Sequence, residues 1–344
     1  MTEPRRHHSV PQFLLKGFSQ PRGRVLQTRV LDKMNSQVFA PSIKDTMVQH
    51  DFNAIKTEQG AMSLETYISQ IESEAAPIIA RLIQTETTAG LSEDERQVVA
   101  TFVALQLIRG TGHRAQYRHL ATALRKVLLE RGFPVDDERF RIPDARDVKL
   151  QALHAIATTL PEYAEHLWGK DMLIFKSPVQ CEFIIGDNPV SMDNHRDYGF
   201  KGNIGLAVRG IEIYLPISKR HTLGLWATDL AEEMRTTIAD ARNKRGQVAA
   251  LALLGVGEVR VRARKNLVQL DAKLVTVERL LQEVEAGGPV TSDSENIDRF
   301  NSMQVVYAER YLASASGYFD LAKRMLVERP ELRLGGLRGD FKFK

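Results

Sequence analysis

Apolar residues recur at two different spacings along this 344-residue chain, and the change of spacing marks its parts. From Ser63 onward, Leu64, Tyr67, Ile68, Ile71, Ala75 and Ile78 stand three and four residues apart, the period of a helix with one buried face. Ser63 suits the N-cap, and Pro77 is expected to kink or divide the element. The stretch "LSEDERQVVATFVALQLIRG" has Ser92 and Glu95 in capping-box spacing and closes on Gly110. Its apolar surface is too wide for a helix facing solvent, which places it centrally in a helical layer. Further helices are expected over 114–131, 145–168, 228–243, 293–310 and 319–328.

Alternation and β-branched runs mark the other elements. "DMLIFKSPVQCEFIIGDNPVSM" and "GIEIYLPISKRHTLGLWA" are rich in Ile, Val, Phe and Tyr between Pro, Gly and Asn, which reads as strands. Near the N-terminus, Val25, Val30 and Leu31 precede a polar "DKMNSQ" turn and then Val38 and Phe39, a pattern that suits a small hairpin. "GEVRVRARK" alternates in the period-two sense and predicts another strand. The expected fold is α+β: a largely helical first half with a small N-terminal hairpin, and an antiparallel or mixed sheet with flanking helices in the second half. A soft boundary near residue 170 separates parts 1–170 and 171–344 of one compact unit.

Composition narrows the classes. The chain is 43% hydrophobic and 26% charged with a formal net charge of +4, the balance of a globular protein that can bury a sizeable core. Its single cysteine, Cys181, permits no intramolecular disulfide and fits a reducing compartment, where the thiol is expected as a small core residue. No run approaches the eighteen apolar residues of a membrane span, and the opening segment, interrupted by Pro11, Lys16 and Gly17, is not expected to act as a secretory leader. The expected location is cytoplasmic, with no membrane partner.

Candidate chemistry begins in "RRHHSVPQFLLKGFS". A short helix from Pro11 to Lys16, closed by Gly17, accounts for the second half of that stretch. His7 and His8 remain, and their imidazoles can act as ligand, base or hydrogen-bonding partner. They point to opposite sides of an extended segment, so one of them at most faces a given site. In "FIIGDNPVSM", a strand ends in Asp187, Asn188 and Pro189; a carboxylate there can reach a cleft or close a turn. Arg109 ends an apolar helix, where a cation complements the dipole and can meet a phosphate or carboxylate. Arg114 and His119 have the spacing of the HEPN ribonucleases, although Ala115 replaces the polar residue usual in that family. Arg260, Arg262 and Arg264 would line one side of the predicted strand, a basic stripe able to follow a phosphate backbone or simply a solvated edge. There is no Cys cluster, His-Glu-x-x-His, Walker loop or Gly-x-Ser-x-Gly elbow.

Taken together and in order, "HHSVPQFLLKGFS", "LETYISQIESEAAPII", "FVALQLIRG", "FIIGDNPV", "YLPISKRHTLGL" and "FNSMQVVYAERYLAS" resemble the bacterial family called domain of unknown function 4238, over nearly the whole chain. The family pattern falls on His7, His8, Pro11, Leu15 and Phe18, on the acids Glu65 and Glu72, on Arg109, on Asp187, Asn188 and Pro189, and on Asn301. Gly110-Thr111-Gly112 departs from the Thr-Pro that often follows the arginine, which implies a reshaped loop. The resemblance implies that His8, Glu72, Arg109 and Asp187 converge. On residue types the expected function is a hydrolase, a phosphodiesterase or nuclease acting as a toxin or phage-defence effector. His7 or His8 would be general base and Arg109 would hold phosphate charge, while Asp187 and Glu72 would orient the histidine or hold a divalent metal. Asn188 would complete that set, and Arg260, Arg262, Arg264 and Asn301 would bind substrate. Partners would be nucleic acid, a nucleotide or a protein encoded nearby. The alternative is a non-enzymatic interaction protein in which the same cluster is structural.

Overall fold

A short helix, α1 (Gln12–Lys16), follows Pro11 and buries Leu14 and Leu15. Gly17 has an ordinary helical φ of −63°, so its role is spatial: a Cβ there would lie 2.7 Å from the Ile217 carbonyl oxygen. The computed structural model describes residues 6–50, 54–57, 60–135, 143–194, 196 and 204–334.

Helix α2 (Glu65–Thr85) passes through Pro77 undivided. Pro77 and Ser73, whose carbonyl loses its helical donor, are both exposed, so water can satisfy that oxygen. Buried Ile71, Ala75, Ile78, Ile79 and Leu82 hold both halves against the same core. The Ser92–Glu95 capping box forms at the start of α3 (Glu93–Arg109). Val99, Phe102, Val103, Leu105 and Ile108 of α3 are fully buried, as its wide apolar surface requires. Helix α4 (Thr111–Glu130) follows. The single helix expected over 145–168 is two, α5 (Ala145–Thr158) and α6 (Leu160–Trp168), because Pro161 starts a new helix rather than continuing one.

Two sheets complete the body. In the five-stranded sheet the order is Ser191–Asp193, Glu212–Ser218, His221–Trp226, Asp171–Lys176, Val290–Thr291. The last pair is parallel and the others antiparallel, so the sheet is mixed. A second, antiparallel sheet runs Ile185–Gly186, Tyr311–Ser314, Arg29–Asp32, Val38–Phe39. It contains the expected N-terminal hairpin, with Val25 instead in a smaller hairpin against Gln20–Arg22. This sheet pairs an N-terminal strand with a C-terminal one, and one hydrophobic cluster runs from Leu14 through α3 to Phe300. Cys181 is half-buried at the edge of that core.

Helices α7 (Asp229–Leu254) and α8 (Glu258–Glu285) form a long antiparallel arm. The strand expected at "GEVRVRARK" is therefore the first turns of α8. Across α8, Ala263, Leu267, Leu270, Leu274, Val277, Leu281 and Val284 are among its buried or half-buried positions. Their spacing alternates four and three, and packing of that face on α7 overrides the local alternation. Helices α9 (Ser294–Tyr307) and α10 (Asp320–Glu328) follow, and a 3-10 turn, Pro330–Leu334, ends the described chain. The fold is α+β, and among the described residues no helix is long and apolar enough to cross a membrane.

Candidate functional site

The residues singled out by sequence separate into two polar groups that meet at the α3–α4 junction. The first is built on the N-terminal strand Arg6–His8, which pairs with Val48–His50. Alternation sends His7 inward, where it is 1% exposed with Nδ1 at 3.6 Å from Glu65 Oε2. His8 is half-buried. Its Nδ1 donates to the Thr46 carbonyl at 3.0 Å and its Nε2 accepts from Gln12 Nε2 at 3.0 Å, an arrangement that fits a neutral ring.

Arg109 closes α3 with its side chain 1% exposed. Its Nη1 bonds the Glu72 carboxylate, and its Nη2 donates to the backbone oxygens of Ser9 at 3.2 Å and His8 at 3.4 Å. Thus Glu72, Arg109 and His8 come together, but Arg109 meets the histidine through its backbone. Arg114 lies one turn into α4, where burial and then the like charge of Arg109 push it down to about 9. Burial likewise lowers the imidazolium of His113. The side chain of His119 lies outside the described residues.

Asp187 organises the second group. Its carboxylate accepts the backbone N–H groups of Glu309 at 2.8 Å, Arg310 at 3.0 Å and Tyr311 at 3.1 Å. Burial raises its pKa against the pull of those three donors and of Lys33. The Lys33 ammonium, fully buried, donates to the Val305 carbonyl at 2.7 Å and to that of Ala308. Lys33 is pushed down to about 8 by its burial. A cation therefore satisfies the last carbonyls of α9 while an anion satisfies the amides that follow, both ends of one chain reversal. Arg310 adds an ion pair to Asp32 at 2.8 Å. Asp187 bonds neither histidine.

Asn188 joins the two groups. Its Nδ2 donates to the Tyr307 carbonyl at 3.2 Å, and its amide lies against Gly110 and Gly112. A Cβ on Gly112 would stand 2.6 Å from Asn188 Nδ2, and one on Gly110 would overlap Asn188 Oδ1. Gly110-Thr111-Gly112 is thus a fit to this asparagine. Asn301 and Gln304, one turn apart on α9, hold the neighbouring segment: Asn301 bonds the Glu182 carbonyl and the Ile184 N–H, both at 3.0 Å, and Gln304 bonds the Pro189 carbonyl and the Gly186 N–H, both at 2.9 Å.

Arg260, Arg262 and Arg264 lie on the remote arm, not beside these groups. On a helix they point in different directions: Arg260 bonds the Gly255 carbonyl at 2.7 Å and Arg262 pairs with Glu258 at 3.6 Å.

Sequence reasoning missed Lys33, Gln106 and Arg310. Lys33 sits in a polar turn that reads as solvent-exposed, and only its contact with α9, some 270 residues on, makes it a buried cation. Gln106 is fully buried on α3 with no partner for either amide atom, and Arg109 Nε lacks one too. Among the described residues no three His, Cys, Asp or Glu side chains are grouped as metal ligands. A cleft of about 670 Å³, bordered by Arg96, Trp168, Lys170, Asp171 and Arg235, includes none of the residues of either group.

A family model described as Protein of unknown function (DUF4238) matches residues 6–317 of the chain. No curated protein and no solved structure matches it.

Proposed function

The chain belongs to the DUF4238 family, and on that premise we propose that it works as a non-enzymatic interaction protein in which the His, Glu and Arg group latches the N-terminal segment onto the helical layer and the Asp187 group fixes the chain reversal after α9. One observation carries this reading: the groups needed for hydrolysis already serve the fold. Both ring nitrogens of His8, both terminal nitrogens of Arg109 and both oxygens of Asp187 have protein partners. A general base needs a lone pair within reach of a substrate proton, and the Nε2 lone pair of His8 accepts from Gln12. A phosphate-binding arginine needs an open fork, and that of Arg109 holds Glu72 and two carbonyls.

A second reading, a hydrolase acting on a phosphodiester or nucleic acid in a toxin or defence role, is favoured by a different observation. Buried Arg109 and half-buried Arg114 lie close together, and the fully buried Gln106 amide, one turn before Arg109 on α3, has no hydrogen-bond partner. A fully buried amide is costly unless something polar joins it.

One comparison separates the two. The purified chain and its Gln106→Leu and Arg109→Lys variants are assayed on single- and double-stranded DNA, RNA and a chromogenic phosphodiester, with and without magnesium. The interaction reading expects the same background rate for all three, with Gln106→Leu as stable as the parent or more stable by about 1 kcal/mol. Turnover by the parent that both variants lose establishes the hydrolase reading instead.

A further inference from the structure

The outer face of the arm carries an apolar stripe that its own fold leaves uncovered. On α8 the inward positions Ala263, Leu267, Leu270, Leu274, Val277, Leu281 and Val284 define a heptad seam against α7. One flank of that seam carries Asp271, Glu278 and Glu285, spaced by seven, which pair with Arg245, Arg242 and Arg235 of α7. The next positions outward should be polar in a two-helix arm bathed in water. They are Val261, Val268 and Val275, exposed by 68%, 69% and 67%. Valines seven residues apart with nearly equal exposure form a second seam, with the β-branched side chains suited to helix pairing.

The charges beside the stripe identify what covers it. The first part of α8 is basic, with Arg260, Arg262, Arg264 and Lys265, and the later part is net acidic, with Asp271, Glu278, Glu283 and Glu285 against Lys273 and Arg279. A parallel neighbour of the same sequence would set Arg264 against Arg264. An antiparallel one, related by a two-fold axis at Val268, sets Val261 against the partner's Val275 and Val268 against the partner's Val268. In that register Arg264 lies beside the partner's Asp271 on one flank, and Glu258 beside the partner's Arg279 on the other, each pair occurring twice. Among the described residues Arg264 has no hydrogen bond or ion pair within the chain, and Glu258 and Arg279 make only loose pairs along their own helix, at 3.6 and 3.7 Å. We infer that the stripe is covered by a second copy of this chain, with two α8 helices packed antiparallel so that the two arms form a four-helix bundle. The inference stands apart from both readings of function.

Sedimentation of the full chain across the micromolar range tests it. The parent should sediment as a concentration-dependent dimer, and Val268→Glu, which places two carboxylates on the axis, should weaken the dimer at least about tenfold with its circular dichroism unchanged. Glu258→Arg should also weaken it, and Glu258→Arg with Arg279→Glu should restore it. If Val268→Glu misfolds, this charge exchange alone decides. A parent that remains monomeric, a dimer indifferent to Val268→Glu and to Glu258→Arg, or a stripe that binds only a helix of another protein overturns the proposal.

Discussion

The junction around Asp187 and Arg109 and the outer face of the α7–α8 arm solve opposite problems. At the junction, ionised groups are buried and nearly every one bonds to a part of the chain distant in sequence: Arg109 to the backbone at Ser9, Asp187 to the amides of 309–311, Lys33 to the end of α9. On the arm, aliphatic groups are left in water and the charges near them pair locally. Buried polar groups that are mutually satisfied fix one arrangement of the chain. Exposed apolar groups at heptad spacing leave an interaction unmade. Residue type alone assigns catalysis to the first region and, on the arm, singles out the arginines and not the valines; we propose a structural role for the first and an apolar contact for the second.

The largest expected effect lies at the junction. Arg109→Met strands the Glu72 carboxylate and two backbone carbonyls, and should lower the unfolding free energy by about 3–5 kcal/mol in urea titrations. A loss below about 1 kcal/mol would put Arg109 among groups that the fold does not need. Next comes a pH effect at Lys33. Its folded pKa of about 8 lies below the ordinary value of 10.5, so between those limits the unfolded chain holds the proton that the folded chain has released. Stability from this group therefore rises with pH through that window. The parent should gain about 1–2 kcal/mol on Lys33→Met between pH 8 and 9.5, and a flat or falling difference would mean that the ammonium is not desolvated. At the arm the corresponding change should be small: Val268→Glu should leave monomer stability within about 0.5 kcal/mol while altering self-association.

Much of the body was legible because its signals are local. Ser92 and Glu95 announce α3, the wide apolar surface of α3 announces its burial, and the Ile- and Val-rich runs after Lys170 announce the sheet. The arm was misread because Val259, Val261 and Ala263 alternate with arginines over six residues, a window that cannot distinguish a strand from a helix. Over all 28 residues of α8 the alternating four and three of its inner face is visible, and so is the second stripe at seven. The junction was half legible. Resemblance placed His8, Glu72, Arg109 and Asp187 in one cluster, and the structure divides them between two groups that Asn188 joins. No local pattern could reveal that Asp187 serves amides more than 120 residues away, or that Lys33 in a turn is buried. Those partners exist only once the strand Tyr311–Ser314 lies between Ile185–Gly186 and Arg29–Asp32.

The central claim, that this polar cluster holds the fold together, rests most directly on Asp187. Substituting Asp187→Asn keeps the size of the side chain, turns an amide N–H toward backbone donors, and leaves Lys33 with only the weaker pull of Glu309. Urea unfolding of this variant beside the parent at neutral pH should show a loss of about 2–4 kcal/mol. A variant as stable as the parent that has lost a measurable activity would contradict the account and make Asp187 a working residue of an active site.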